Sequence, residues 1–392
     1  MKEVLKFPDG FLWGAATASY QVEGGINNCD WAEAARAGRV VPAGTGADHY
    51  NRYDEDFALA QSLGHTCHRI SIEWARIEPE EGQFDMKEIE HYKNVLKSMH
   101  DHGLIPFVTL WHFTLPEWFA KKGGFRKKEN VGFYVRYCSM LVDNLKDHCK
   151  NFSTINEPVV YSTMSYLWGQ WPPFEIFKVE AFYRVFQNLI SAHNKTYEEI
   201  KAKHGDKVTI SIVKNNMYMH VSKSSRFNIF NHVACKFSHY FWNEYFLNKV
   251  HKHIDALDIN YYFHTEYGKN EKYIKTDMGW DLYPEGLYHV LKHAAKYKKD
   301  IRVTEAGLAD EKDLYREKYI KDLLKNVHRA IEEGVSVKAF MYWSLIDNYE
   351  WSYGFTKKFG LISVDLKTKK RTIRHSAYAY KKICEANAVI TD

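Results

Sequence analysis

The sequence predicts an α/β fold, a closed (β/α)8 barrel with its active site at the C-terminal ends of the strands. Three observations predict it. Short apolar runs recur eight times along 392 residues. Amphipathic stretches with helical spacing separate them. Polar and aromatic side chains gather at the C-terminal ends of the runs, the face on which barrel enzymes build their sites.

The runs in order are 11–19, 65–74, 105–113, 151–158, 207–215, 256–263, 300–307 and 337–347. Near-continuous apolar runs suit parallel strands buried on both faces. Between them, residues 86–103 and 316–334 read as amphipathic helices. In the second, Tyr319, Leu323, Val327 and Ile331 recur at helical spacing and Gly334 closes the helix. A doubly wound open sheet is the alternative, but it usually carries GxGxxG after its first strand, and here that position reads ATASYQVEGG. No linker or low-complexity segment interrupts the chain, so residues 1–392 are expected to form a single catalytic barrel domain.

Composition narrows the function. Hydrophobic residues are 45% of the chain, enough for a large core, and a net charge of +5 gives little reason to expect nucleic acid or an anionic membrane. The lysine runs at 121–128, 295–299 and 367–371 read as solvated helix ends and loops. Cys29, Cys67, Cys138, Cys149, Cys235 and Cys384 form no CxxC pair. No signal peptide or membrane span is read, so a reduced, cytoplasmic protein is expected. The chain lacks HExxH, GxSxG and a P-loop, and His251 and His253 show no third ligand, so no metal or cofactor is expected.

The strand ends carry the chemistry. Gln21 follows the first strand, Arg69 lies in the second and His112 ends the third. Asn156 and Glu157 end the fourth, Tyr261 and Tyr262 the sixth, and Glu305 the seventh. The eighth runs into Asp347, Asn348, Glu350 and Trp351. In a closed barrel, strands four and seven face each other across the mouth. Glu157 and Glu305 are then a carboxylate pair of the kind that glycoside hydrolysis needs, one protonated and one ionised. Asn156 puts an amide beside one of them. Pro158 stops the strand and turns the chain outward. Arg69 sits among apolar neighbours and needs an anion. Trp343 and Trp351 are the aromatics best placed to face a sugar ring; most of the other aromatics must be core.

Several motifs in order resemble glycoside hydrolase family 1, the β-glucosidase family, across nearly the whole chain. FPDGFLWGAATASYQVEG is similar to the family's opening strand and implies Gln21 as a sugar ligand. RISIEWARIEPEEG resembles its second strand and implies Arg69 as support for the nucleophile. TLWHFTLPEWF implies His112 as a sugar ligand. TINEP implies Glu157 as acid/base and Asn156 as the contact to the 2-hydroxyl. INYY implies a tyrosine beside the nucleophile, Tyr262 favoured over Tyr261, with Asn260 as further support. VTEAG implies Glu305 as nucleophile, and YWSLIDNYEWSYGF implies Trp343, Glu350 and Trp351 around the sugar. The resemblance implies a TIM barrel and a retaining mechanism, with carboxylates roughly 5–5.5 Å apart.

The chain departs from the family in two ways. Ala306 stands where the nucleophile motif usually has Asn. The chain is also short, with the loss between strands five and six and in the strand-six and strand-seven loops, so a more open cleft is expected, partly covered by Trp171. The expected substrate is a small β-glycoside or short oligosaccharide, a glucoside first and a galactoside or fucoside after it. A 6-phospho-β-glycosidase is one alternative; that branch has serine where Glu350 stands, although Lys357 and Lys358 follow. A non-catalytic sugar-binding protein on the same scaffold is the other. Oligomeric state is not read from the sequence.

Overall fold

Parallel strands require long crossovers, and this chain supplies a helical one after each strand. The computed structural model describes residues 3–268 and 272–391. Eight strands form a closed barrel: β1 (Leu12–Ala16), β2 (Cys67–Ser71), β3 (Ile105–Trp111), β4 (Asn151–Asn156), β5 (Thr209–Asn215), β6 (Ala256–Tyr261), β7 (Asp300–Ala306) and β8 (Val337–Trp343). Every neighbouring pair is parallel, and β8 pairs with β1 to close the ring. Each of the eight apolar runs contains one of these strands.

The outer helices follow their sequence periods. Met86–Asp101 is capped by the Asp85 side chain, which accepts from Lys87 N at 2.8 Å, and it buries Ile89, Tyr92, Leu96 and Met99. Arg316–Glu332 buries Tyr319, Leu323 and Val327 as its pattern predicts, while Ile331 is only half-buried. Gly334 then takes a positive φ of 89°, which a glycine adopts without steric cost. At the bottom of the barrel, Val4–Lys6 pairs antiparallel with Ala388–Ile390, tying the two ends of the chain together.

The barrel interior is not wholly apolar. Arg302 of β7 donates from Nε to Asp258 Oδ1 of β6 at 2.6 Å and from Nη1 to Asn151 Oδ1 at 3.1 Å. Asp258 Oδ2 also accepts from Ser153 and Ser211, at 2.7 and 2.6 Å. Burying two charges is tolerable here because hydrogen bonds engage both carboxylate oxygens. Neither residue stood out in the sequence.

Two strands slip register near their C-terminal ends. The β4–β5 ladder shifts between Ser153 and Asn156, and the β6–β7 ladder between Val303 and Glu305. Such bulges re-aim side chains. Here they precede the two candidate carboxylates. Replacing one member of the buried Arg302–Asp258 pair strands the other. Arg302→Met should therefore destabilise the fold by about 3–5 kcal/mol, read from the urea unfolding midpoint. A loss under about 1 kcal/mol would mean that the pair is not buried as described.

Candidate active site

The local chain path explains where Glu157 points. Pro158 is the first residue of the helix Pro158–Tyr166, where its missing N–H costs nothing and its φ suits the helix. Glu157 is left as the residue between strand and helix, with a left-handed φ of 43°. A non-glycine residue there stores roughly 1–3 kcal/mol of strain, a cost found at functional sites. Its carboxylate is buried, and Oε1 accepts from Asn260 Nδ2 at 2.7 Å and from Asn215 Nδ2 at 3.2 Å.

Asn260 corrects an expectation. It was expected beside Glu305, and the backbone register does set the two side by side. Its amide nevertheless crosses to Glu157, and its Oδ1 accepts from Thr304 Oγ1 at 2.9 Å, which fixes the amide's orientation. Asn215, at the end of β5, was missed. The rule that marked the other strand ends would have found it.

Glu305 is held from two sides. Arg69 Nη1 donates to Oε1, and Tyr262 Oη donates to Oε2 at 2.5 Å. Arg69 is itself fixed by Asn156 Oδ1 at 2.7 Å and Thr109 Oγ1 at 2.9 Å. Tyr261 turns away; its hydroxyl donates to the Tyr283 carbonyl at 2.5 Å, so it belongs to the wall. Ala306 is fully buried in the main apolar core. Gly307 follows it because a Cβ there would lie 2.0 Å from the Trp343 carbonyl oxygen.

Gln21, His112, Asn156, Glu157, Tyr262, Glu305, Trp343, Glu350 and Trp351 all line one cleft with a volume of about 560 Å3. Arg69 lies behind Glu305, and Asn260 beneath Glu157. His112 stacks near both tryptophans, with ring centroids 6.1 Å from Trp343 and 6.0 Å from Trp351. Trp171 packs on Trp351 at 5.4 Å and lines the same cleft. Among the described residues, Gln21 Oε1, His112 Nδ1 and Glu350 Oε2 are buried with no hydrogen-bond partner. Buried polar atoms are ordinarily paired, so three in one cleft mark a place for a polar ligand. The connection from β5 to β6, expected to leave the cleft open, contributes Phe237, Phe241 and Trp242 as a wall. Lys357 donates to the Asp277 carbonyl at 2.6 Å, and neither it nor Lys358 lines the cleft.

Burial pushes the Glu157 carboxyl up to about 7, and the nearby charge of Glu305 pushes the same way against the bonds from Asn260 and Asn215. Burial likewise raises Glu350 to about 8. Burial holds His112 far below its usual range, with Arg69 adding repulsion, so it is a neutral ring. Lys214, missed in the sequence, donates to the Asn215 carbonyl at 2.5 Å, and burial brings it down to about 7. These directions give a test. Glu305→Gln removes a negative neighbour and should lower the Glu157 titration midpoint. Asn260→Ala removes a donor to the carboxylate and should raise it. Carbon-13 NMR of labelled glutamate reads both, and shifts in the opposite directions would contradict this electrostatic account.

The comparisons agree with this geometry. The model for "Glycosyl hydrolase family 1" matches residues 4–254 and 248–389. Beta-glucosidase A of Thermotoga maritima is 32% identical over 448 aligned positions, covering 98% of this chain and 99% of the relative. The alignment is longer than the 392-residue chain, so the relative carries stretches absent here. Among solved structures, a beta-glycosidase from Pyrococcus horikoshii superposes with a TM-score of 0.92 at 35% identity, covering 100% of this chain and 97% of that one. The beta-glucosidase of Thermotoga maritima in complex with glucoimidazole gives a TM-score of 0.90 at 31% identity, covering 98% of this chain and 100% of that one. With its closed barrel and facing carboxyl groups, the chain belongs to glycosyl hydrolase family 1.

Proposed function

We propose that the chain is a retaining β-glycosidase that removes terminal, unmodified β-D-hexosyl residues, glucosyl first and galactosyl or fucosyl after it. The observation that carries this reading is the contrast between two carboxyl groups in one cleft. Glu157 has its pKa raised to about 7, and Glu305 is gripped by a guanidinium and a phenol. Two carboxyl groups in unlike surroundings take unlike roles.

Glu305 attacks the anomeric carbon as the bond to the leaving oxygen breaks. Glu157 gives its proton to that oxygen. The result is a covalent glycosyl ester on Glu305. Esterification removes the charge on Glu305, one of the two causes that raise Glu157. The Glu157 pKa therefore falls, and its carboxylate is ready as a base. It takes a proton from water, the water oxygen bonds to the anomeric carbon, and the ester bond breaks. Asn156 reaches the 2-hydroxyl, and Gln21, His112 and Glu350 take the remaining hydroxyls. Trp343 and Trp351 form the sugar's apolar bed. A carboxyl at position 350, and no lysine among the described residues of the cleft lining, argue against a 6-phosphoglycoside.

The whole chain is one catalytic unit in this reading. All six cysteines are free and five of them are buried, which supports a reducing compartment such as the cytoplasm.

The test is hydrolysis of p-nitrophenyl β-glucoside with azide as an external nucleophile, in Glu→Ala variants that leave room for it. Glu157→Ala should slow turnover by about 10²–10⁴-fold and yield β-glucosyl azide. Glu305→Ala should be at least as slow and yield α-glucosyl azide. The same azide anomer from both variants would remove the assignment. Wild-type inactivity toward β-glucoside and β-galactoside would remove the function.

A further inference from the structure

The cleft carries its acidic side chains at the strand ends. Its acidic lining residues are Glu157, Glu305 and Glu350, and among the described residues no Lys, Arg or Asp lines it. Met164, Trp168, Met217, Phe237, Phe241 and Trp242 make up most of the outer wall, with Gln170, Ser238 and Thr265 between them. Phe237 and Trp168 line the cleft and are also 69% and 54% exposed, so the apolar wall runs out onto the surface.

The helix Ile229–His239 carries that wall outward, and it is built inside out. Its half-buried residues are Asn231, Cys235, Ser238 and His239, a polar and small face. Ile229, Phe230, Val233 and Phe237 are 69%, 81%, 62% and 69% exposed. At about 100° per residue these four fall in one stripe roughly 100° wide, opposite the half-buried side. A surface helix ordinarily turns such a stripe toward the core. An apolar stripe turned to solvent marks a binding surface. Phe230 lies seven residues before Phe237, roughly 10 Å along the helix axis.

We propose that this stripe is the outer aglycone path, and that the aglycone it fits is the alkyl chain of an amphiphilic β-glycoside. The sugar occupies the polar end of the cleft, and the chain leaves along Phe241, Phe237, Val233 and Phe230. This rests on the β-glycosidase reading and names its substrate class. The occupant follows from continuity: the stripe begins at a residue that lines the cleft, and its four side chains are apolar, with the exposed Lys236 only at its edge.

The experiment compares methyl, butyl, octyl and dodecyl β-glucosides below their micelle concentrations, for wild type, Phe230→Ser and Phe237→Ser. Full burial of one methylene is worth up to about fourfold in kcat/KM, and half-burial on an open wall about twofold. From butyl to octyl, wild-type kcat/KM should rise by about tenfold or more. The octyl-to-butyl ratio should collapse toward one in both serine variants. Both sites are exposed, so folding is not at risk. A gain that stops at butyl, or the same ratio in Phe230→Ser, overturns the proposal. So does binding to plain phosphatidylcholine vesicles that Phe230→Ser abolishes while the ratio stays unchanged, because the stripe would then serve a bilayer. Methyl and p-nitrophenyl β-glucosides keep the two readings apart. If neither is hydrolysed, the glycosidase reading fails. If they are hydrolysed without a chain-length gain, only the alkyl path fails.

Discussion

Arg69 carries its guanidinium inside the barrel with about 1% exposure, and a cation there costs several kcal/mol unless anions and acceptors meet it. Glu305 is that anion. Asn156 and Thr109 are the remaining acceptors. The site grows outward from this cluster. Arg69 holds Glu305 in place, and Asn156 is turned so that its amide nitrogen faces His112 Nε2 at 3.2 Å. His112 then stacks beside Trp343 and Trp351. Strands β2, β3, β4 and β7 are tied together by one cation, so their registers are coupled at the mouth. The charge on Glu305 also reaches Glu157 and Glu350, raising both. One ion pair thus sets the position of one carboxyl group and adds to the burial that raises two others.

The barrel resembles two stacked polar layers in an apolar shell. In the lower layer, Arg302 with Asp258, Ser153, Ser211 and Asn151, the carboxylate accepts on both oxygens, and only Arg302 Nη2 is left without a partner. The upper layer is open. Gln21, His112 and Glu350 each keep an unpartnered polar atom there, and Glu157 sits in a left-handed backbone conformation. Well-paired polar layers specify a structure; open ones are costly until a ligand completes them. That asymmetry separates the structural half of the barrel from its chemical half.

Much of this was legible in the sequence. Parallel strands buried on both faces read as apolar runs, so all eight were visible, and the polar residues at their ends pointed to the mouth. What escaped depends on relations between chain segments. The register slips before Asn156 and Glu305 are properties of paired strands, and no single run records them. Asn260 pairs with Glu305 in the ladder yet serves Glu157, because Thr304 fixes its amide. Arg302 and Asp258 lie mid-strand, where a sequence pattern gives no sign of partners. The helix Ile229–His239 shows the sharpest limit: its period reveals an apolar stripe but not that the stripe faces outward. The shortened loops suggested an open cleft, but not that the same segment would line it with aromatic side chains.

The proposed mechanism rests on a Glu305 carboxylate oxygen being the nucleophile at the anomeric carbon, held by Arg69 and Tyr262. The most direct measurement is mass spectrometry of protein treated with an activated 2-deoxy-2-fluoro-β-glucoside, whose electron-withdrawing fluorine slows breakdown of a glycosyl ester. The account predicts one added sugar per chain, on the peptide containing Glu305, with activity lost in step and regained on slow hydrolysis. A label on Glu157, or full inactivation with no covalent sugar, would contradict it.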